Sequence, residues 1–392
     1  MGIEINRRAF LGTLAAAGTQ LRAAAPTAPT APVAVAQVKT YDDHLAVLGK
    51  MMDQLGGLGK LVKGKTVNIK INMTGEPNTR LGYLPPSRSY WTHPQTVGCM
   101  IRLLDKAGAR RIRVVEGVGS WPNSLEEWMY RASWDIRALQ TAAPRVEFVN
   151  SNLPYPGKTP YTRFKVPNGG HLFPAYDLST VWAEGDVLVS VTKIKEHTTA
   201  GITLGMKNCF GITPGTIYGG GAGIDEPLPL PHGGRQEILH NGRRQPPKSA
   251  LAEIDPKSPR QDTYRIPRCV ADMSAALPIH LVVGEGIESM AGGEGPWSQD
   301  ARPCAPGVIY AGTNVVTADA VGMALLGFDP MAERGTAPFE RCDSSLKLSE
   351  ALGVGTRDLK QIEVIGASIA QARFDIRAVP GKRSAPRRPS AG

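Results

Sequence analysis

No Cys-x-x-Cys pair occurs in the 392 residues, and the five cysteines (Cys99, Cys209, Cys269, Cys304, Cys342) stand far apart. Structural zinc sites and iron–sulfur clusters draw on closely spaced thiolates, so a sequence-local site of either kind is disfavoured. An odd count also argues against a complete disulfide framework. No apolar run is long enough to span a bilayer as a stable helix. There is no full Gly-x-Gly-x-x-Gly dinucleotide fingerprint, so the sequence gives no ground for a nucleotide cofactor. A concentrated basic surface is missing too. The net charge is +10, but the first 25 residues hold +2 of it and the last fifteen hold +4. The remaining +4 is too little to describe a nucleic-acid-binding face.

What is present begins at the N-terminus. Asn6-Arg7-Arg8-Ala9-Phe10-Leu11 is a twin-arginine motif, followed by a short, weakly apolar run from Leu11 to Gly18. It predicts recognition by the twin-arginine export machinery and a periplasmic or extracellular location. Cleavage after Ala23-Ala24-Ala25 would place Pro26 just beyond the cut, and Ala34-Val35-Ala36 before Gln37 is the cleaner small-x-small site. The chain therefore divides into signal and linker (1–36), a single domain (37–376) and a disordered basic tail (377–392).

Within the domain, helical periodicity alternates with short branched strands. A helix is predicted from Tyr41 to about Leu55, then a strand Thr66–Asn72 in which Val67, Ile69 and Ile71 alternate with Asn68, Lys70 and Asn72. Thr92-His93-Pro94 opens a helix that Gly108 stops, with His93 better placed to brace that helix than to catalyse. Arg111–Val115 is a strand ending in Glu116-Gly117-Val118-Gly119, and Ser124 to about Leu139 is helical. Val146–Val149 is strand-like, and residues 150–180 form a surface excursion or short hairpin. Later elements are a helix Arg268–Ala276, strands Ile279–Val283 and Val308–Ala311, a helix Val315–Leu326 and a last strand Gln361–Ile365. This order predicts an α/β fold: a mixed or largely parallel sheet flanked by helices, with long Gly/Pro-rich loops.

The stretch Asp186–Gly211 organises the rest. A buried strand (Val187, Leu188, Val189, Val191) ends abruptly in Lys193, Lys195 and His197, whose spacing of two would let an extended chain aim all three at one ligand. Lys207 and Asn208 follow. Residues 211–262 then form a long Gly/Pro-rich insertion, either a lid over the site whose Arg235, His240, Arg243 and Arg244 could add positive charge on closure, or a flexible insertion whose charges are solvated.

These blocks resemble the large prokaryotic family known as domain of unknown function 362. The resemblance rests on Val67-Asn-Ile-Lys-Ile-Asn72, Thr92-His-Pro94, Ala107-Gly-Ala109 and Glu116-Gly117. It continues in Thr192-Lys-Ile-Lys-Glu-His197, Gly205-Met-Lys-Asn208, Gly284-Glu-Gly-Ile287 and Gly293-Glu-Gly-Pro296, and ends with Thr317-Ala-Asp-Ala-Val321 and Gly327-Phe-Asp-Pro330. It covers roughly residues 60–335 and implies no particular activity. Some relatives resemble fusions to ferredoxin segments, which this chain lacks. The family commonly has Asp-Gly where Glu285-Gly286 stands.

Strand ends of an open α/β sheet share one edge, where ligands bind. The expected catalytic residues are His197, Glu116 and Glu285. Lys70, Asn72, Lys193, Lys195, Lys207 and Asn208 are expected to hold a phosphate- or carboxylate-bearing substrate, and Glu285 with Asp319 a divalent metal. The function expected is an exported enzyme acting on a small anion. The alternative is a periplasmic ligand-binding or cofactor-handling protein without turnover.

Overall fold

The sheet that carries the fold has eight strands, and seven of them run the same way. A computed structural model describes residues 28–119 and 123–381. Its strands, in chain order, are β1 (Val33–Gln37), β2 (Thr66–Lys70), β3 (Arg111–Glu116), β4 (Val146–Asn150), β5 (Tyr161–Lys165), β6 (Ala175–Ser179) and β7 (Val187–Lys193). They continue as β8 (Lys195–His197), β9 (Gly201–Thr203), β10 (Leu281–Gly286), β11 (Ser289–Ala291), β12 (Arg302–Cys304), β13 (Val308–Gly312) and β14 (Val364–Gly366). The large sheet has the order β14-β1-β13-β10-β7-β2-β3-β4, and β5–β6, β8–β9 and β11–β12 are separate hairpins. β13 is antiparallel to β1 and β10, and every other pairing in the large sheet is parallel. The predicted α/β class and largely parallel sheet are observed.

Alternation decides what each face of the sheet touches. Val67 and Ile69 on β2, Val187, Val189 and Val191 on β7, and Leu281 and Val283 on β10 pack on one face. There they meet the Pro94–Lys106 helix, whose buried Val97, Met100, Ile101 and Leu104 recur at helical spacing. The other face takes Val33 and Val35, Val282, Val308 and Tyr310. Its helices include Val315–Leu325, buried on every side and started by Asn314, whose Oδ1 accepts from the N–H groups of Val316 and Thr317. The helix predicted at Arg268 starts earlier, at Asp262, and runs through Pro267. Proline leaves the carbonyl four residues back without its helical donor. Here that carbonyl, on Thr263, accepts from Arg334 Nη2 at 3.3 Å.

Two predicted boundaries move. A domain start at Gln37 falls inside β1, whose Val33, Ala34 and Val35 are fully buried between β13 and β14. The Ala34-Val35-Ala36 stretch therefore lies in a paired inner strand of the sheet. At the other end, ordered contacts continue past 376: Arg377 pairs with Glu340 at 3.1 Å, and the Val379 carbonyl accepts from Arg302 Nε. The twin-arginine motif, the earlier Ala23–Ala25 site and the tail basic residues Lys382, Arg383, Arg387 and Arg388 lie outside the described residues. No helix among the described residues is long and apolar enough to cross a membrane.

Because β1 closes the sheet between β13 and β14, a charge placed in it has no escape to solvent. Val35→Asp should lower the unfolding free energy by about 4 kcal/mol or more, measured by urea titration. Unchanged stability would show that β1 is dispensable.

Candidate functional site

From β2 the chain moves outward to β3 and β4, then returns to lay β7 on the other side of β2. That reversal is a topological switch point, and the carboxyl ends of the strands beside it open a crevice. A cavity of about 490 Å³ lies there. Its floor is the polar half of the β2 alternation. Lys70, 1% exposed, places Nζ 2.8 Å from Glu116 Oε1 at the end of β3 and also donates to the Ile71 carbonyl and to Asn208 Oδ1. Glu116 is held in turn by the N–H groups of Met73 (3.0 Å) and Gly117 (2.8 Å). Asn208 donates to the Lys70 carbonyl and to Ser190 Oγ, and accepts from Asn72 Nδ2 at 3.3 Å. Lys195 extends this chain behind the cavity, donating to Asn72 Oδ1 (3.3 Å) and the Tyr90 carbonyl (2.7 Å). Gly117 has to be glycine: a Cβ there would stand 2.4 Å from the Gly211 carbonyl oxygen.

Around this floor are His197, Lys207, Arg235, His240 and Glu294. The insertion supplies Arg235 and His240 and is packed in place, with Ile238 and Leu239 fully buried. Arg235 Nε donates to both oxygens of Thr213, and Nη2 to Asn152 Oδ1 and the Gly211 carbonyl. Burial brings its guanidinium down to about 10. Arg244 braces the insertion by donating to the Gly220 and Ala222 carbonyls, and Arg243 is exposed. Glu294 is fixed by Thr198 N–H (2.9 Å), Thr198 Oγ1 (2.8 Å) and Trp297 Nε1 (2.9 Å). Lys207 is different. Its ammonium lies 4.6 Å over the Phe210 ring and has no hydrogen-bond or ion-pair partner among the described residues. Burial pushes it down to about 8, with the Arg235 and Lys70 charges acting in the same direction and Glu294 opposing them.

His197 does not have the geometry expected of a base. Its Nδ1 accepts from the N–H groups of Thr199 (3.2 Å) and Ala200 (3.3 Å), closing the β8–β9 turn. The ring proton therefore sits on Nε2, which makes the imidazole a donor. Burial, then the nearby Lys207 charge, holds it well below the ordinary histidine range.

Lys193 and Lys195 do not join His197 on one ligand, because the strand ends at Lys193 and a new hairpin starts at Lys195. Lys193 has the parity of Val187, Val189 and Val191, so it turns to the opposite face of the sheet. Glu285 is its register partner on β10, and the pair is fully buried at 2.7 Å. Tyr41 donates to Glu285 Oε1 at 2.7 Å, and its ring stacks on His93 with centroids 3.6 Å apart. His93 Nδ1 accepts from Gln95 N–H, so it starts its helix as expected. Asp319 also lies away from the cavity. It accepts from the N–H groups of Gly205 and Met206, each at 2.8 Å, and anchors the start of the short helix carrying Lys207 and Asn208. Burial pushes its carboxyl up to about 7, while the two N–H groups pull it down. Glu285 and Asp319 thus serve different partners and do not converge on a metal. No cluster of three or more His, Cys, Asp or Glu side chains suited to a metal occurs among the described residues.

Of the expected residues, Lys70, Asn72, Glu116, His197, Lys207 and Asn208 share the cavity, and Lys193, Lys195, Glu285 and Asp319 stand outside it. Asn152 and Trp297 line it without any signal in the sequence. Since Glu285 has a buried partner, Glu285→Gln should cost about 3–5 kcal/mol in denaturant unfolding. Pairing Lys193→Met with Glu285→Leu should recover most of that loss. A Glu285→Gln protein of full stability would restore Glu285 as a candidate for chemistry.

Known proteins match this chain at several levels. The domain of unknown function model DUF362 matches residues 67–324. Thylakoid-associated protein sll1697 of Synechocystis sp. is 28% identical over 176 residues, 44% of this chain and 47% of that protein, so the match spans about half of the relative's length. A crystal structure of a Thermotoga maritima protein aligns at 13% identity and a TM-score of 0.37, covering 81% of this chain and 60% of that one. Lactate racemase apoprotein from Thermoanaerobacterium thermosaccharolyticum aligns at 14% identity and a TM-score of 0.32, covering 70% and 54%. The family match runs from β2 into the buried Val315–Leu325 helix, well over half of the chain, and this protein belongs to the DUF362 family.

Proposed function

We propose that this protein is an exported enzyme that binds a small phosphate- or carboxylate-bearing substrate in the cavity at the ends of β2 and β3. One observation carries the reading. Lys70 is neutralised by Glu116, and Glu294 is hydrogen-bonded by Thr198 and Trp297, so among the described residues the Lys207 ammonium has no ion-pair partner, and it shares the cavity with the Arg235 guanidinium. Desolvated cations are stable when an anion enters. The volume suits a small metabolite rather than a polymer. Glu116 and His197 Nε2–H supply a fixed acceptor and a donor beside the bound anion, and Lys207 is the group able to change protonation near neutrality. Export is supported by Arg7-Arg8 ahead of an apolar run.

Phosphate titrated calorimetrically at pH 7 should bind saturably. Lys207→Gln or Arg235→Gln should each weaken it about tenfold or more, the worth of one charge-assisted hydrogen bond. Lys207 is a cation below about 8 and neutral above it, so affinity should persist at lower pH and fall as pH rises through that value. A protein that binds no phosphate, or binds it equally well in both variants, would sink the reading. For export, replacing Arg7 and Arg8 by Lys should leave the protein in the cytoplasmic fraction, and undiminished secretion would refute the signal.

A further inference from the structure

Four lysines cluster at this edge of the sheet, and three are used up by their surroundings. Lys70 is paired with Glu116, Lys193 with Glu285, and Lys195 donates to the Tyr90 carbonyl and Asn72. Each is fully buried and tied, so none can swing or lend its nitrogen lone pair to a ligand. The fourth, Lys207, opens into the cavity with its nitrogen over an aromatic ring and no acceptor holding its protons among the described residues. Its root is rigid. It projects from the short helix Gly205–Cys209, which Asp319 pins by two backbone bonds and Asn208 ties to β2 and β7. An amine that is anchored at its base, unbonded at its tip and facing a cationic pocket is suited to nucleophilic work.

We propose that Lys207 is a nucleophilic amine that forms an imine with a small 2-oxo acid bound in this cavity. The inference rests on the anion-binding reading and adds to it the class of substrate and the covalent step. Arg235 faces the carboxylate, and the ketone carbon is presented to Lys207. Lys207 first gives its ammonium proton to solvent, which returns one at the dehydration step. The freed nitrogen lone pair bonds to that carbon, the C=O π electrons move to oxygen, and oxygen takes up a proton as the amine loses one, giving a carbinolamine. With one further proton from water, the hydroxyl departs as water, and the nitrogen lone pair closes the C=N bond. No oxidant or reductant is consumed. The product iminium keeps the positive charge that the lysine carried, so the carboxylate retains a cationic neighbour. His197 Nε2–H is a donor that the carbinolamine oxygen can use, because Nδ1 is already occupied by Thr199 and Ala200. The proximity of Arg235 and Lys70, on top of burial, keeps a useful share of Lys207 neutral near pH 8.

The test uses full-length protein incubated with pyruvate and then sodium borohydride, which reduces an imine to a stable secondary amine. Peptide mapping by mass spectrometry should find one borohydride-dependent adduct, on Lys207, at pyruvate concentrations that leave exposed lysines unmodified. Its yield should rise as pH climbs towards 8, opposite in sign to phosphate affinity, and excess phosphate should suppress it. Lys207→Arg, which has no nucleophilic amine, should lose the adduct. If phosphate binds but the adduct is absent or spread evenly over exposed lysines, the imine is overturned and the anion site stands. If neither phosphate nor pyruvate engages the protein, both readings fall.

Discussion

The ion pair between Lys70 and Glu116 is the constraint on which the candidate site depends. Two charges buried at the ends of adjacent parallel strands pay a large desolvation cost, and their attraction offsets it only if the remaining donors and acceptors are satisfied. Here they are: Glu116 receives the Met73 and Gly117 N–H groups, and Lys70 gives its other protons to the Ile71 carbonyl and Asn208. These bonds fix where the chain goes after β2 and after β3. They also fix the short helix that carries Lys207, through Asn208. The cavity is therefore built around a closed polar network, and the groups with chemical freedom are those the network leaves out.

A second buried pair, Lys193 with Glu285, sits at the same edge of the sheet on its other face. The two pairs look alike in sequence, since each joins a lysine and a glutamate at strand ends. They differ in surroundings. Lys70 and Glu116 border a cavity, whereas Lys193 and Glu285 are packed with Tyr41, itself stacked on His93. A buried pair with no adjacent space holds strands together, and a buried pair beside a cavity also sets the electrostatics of whatever enters. Lys207 belongs to neither pair and has no ion-pair partner among the described residues, in a place where charge is costly.

The insertion between 211 and 262 illustrates the same division of labour. Its glycines and prolines give it no regular periodicity, yet Ile238 and Leu239 anchor it in the core. Arg265 ties it down through the Ile238 carbonyl and Glu253. Arg235 and His240 therefore reach the cavity from a fixed wall, and Arg235 arrives with two of its nitrogens already bonded to Thr213, Asn152 and Gly211. A guanidinium held in this way presents charge without needing to be reordered when a ligand binds.

Alternation in β2, β7 and β10, helical spacing in Pro94–Lys106 and the uniform apolarity of Val315–Leu325 determined the α/β class and most element positions, because these patterns follow from backbone periods of 2 and 3.6. The same alternation already implied that Lys193 faces with Val189 and Val191. Reading Lys193, Lys195 and His197 as one row failed because no local pattern shows that the strand stops after Lys193. Ala34-Val35-Ala36 is ambiguous for a related reason: small apolar residues suit a cleavage site and a crowded inner strand equally well. Only the tertiary structure could decide which acid each lysine meets. Glu116 and Lys70 are 46 residues apart, Glu285 and Lys193 are 92 apart, and nothing in either sequence neighbourhood encodes the pairing. Sequence fixes which side chains carry charge; the order in which parallel strands are laid side by side decides which charges cancel, and that order left Lys207 without an ion-pair partner among the described residues.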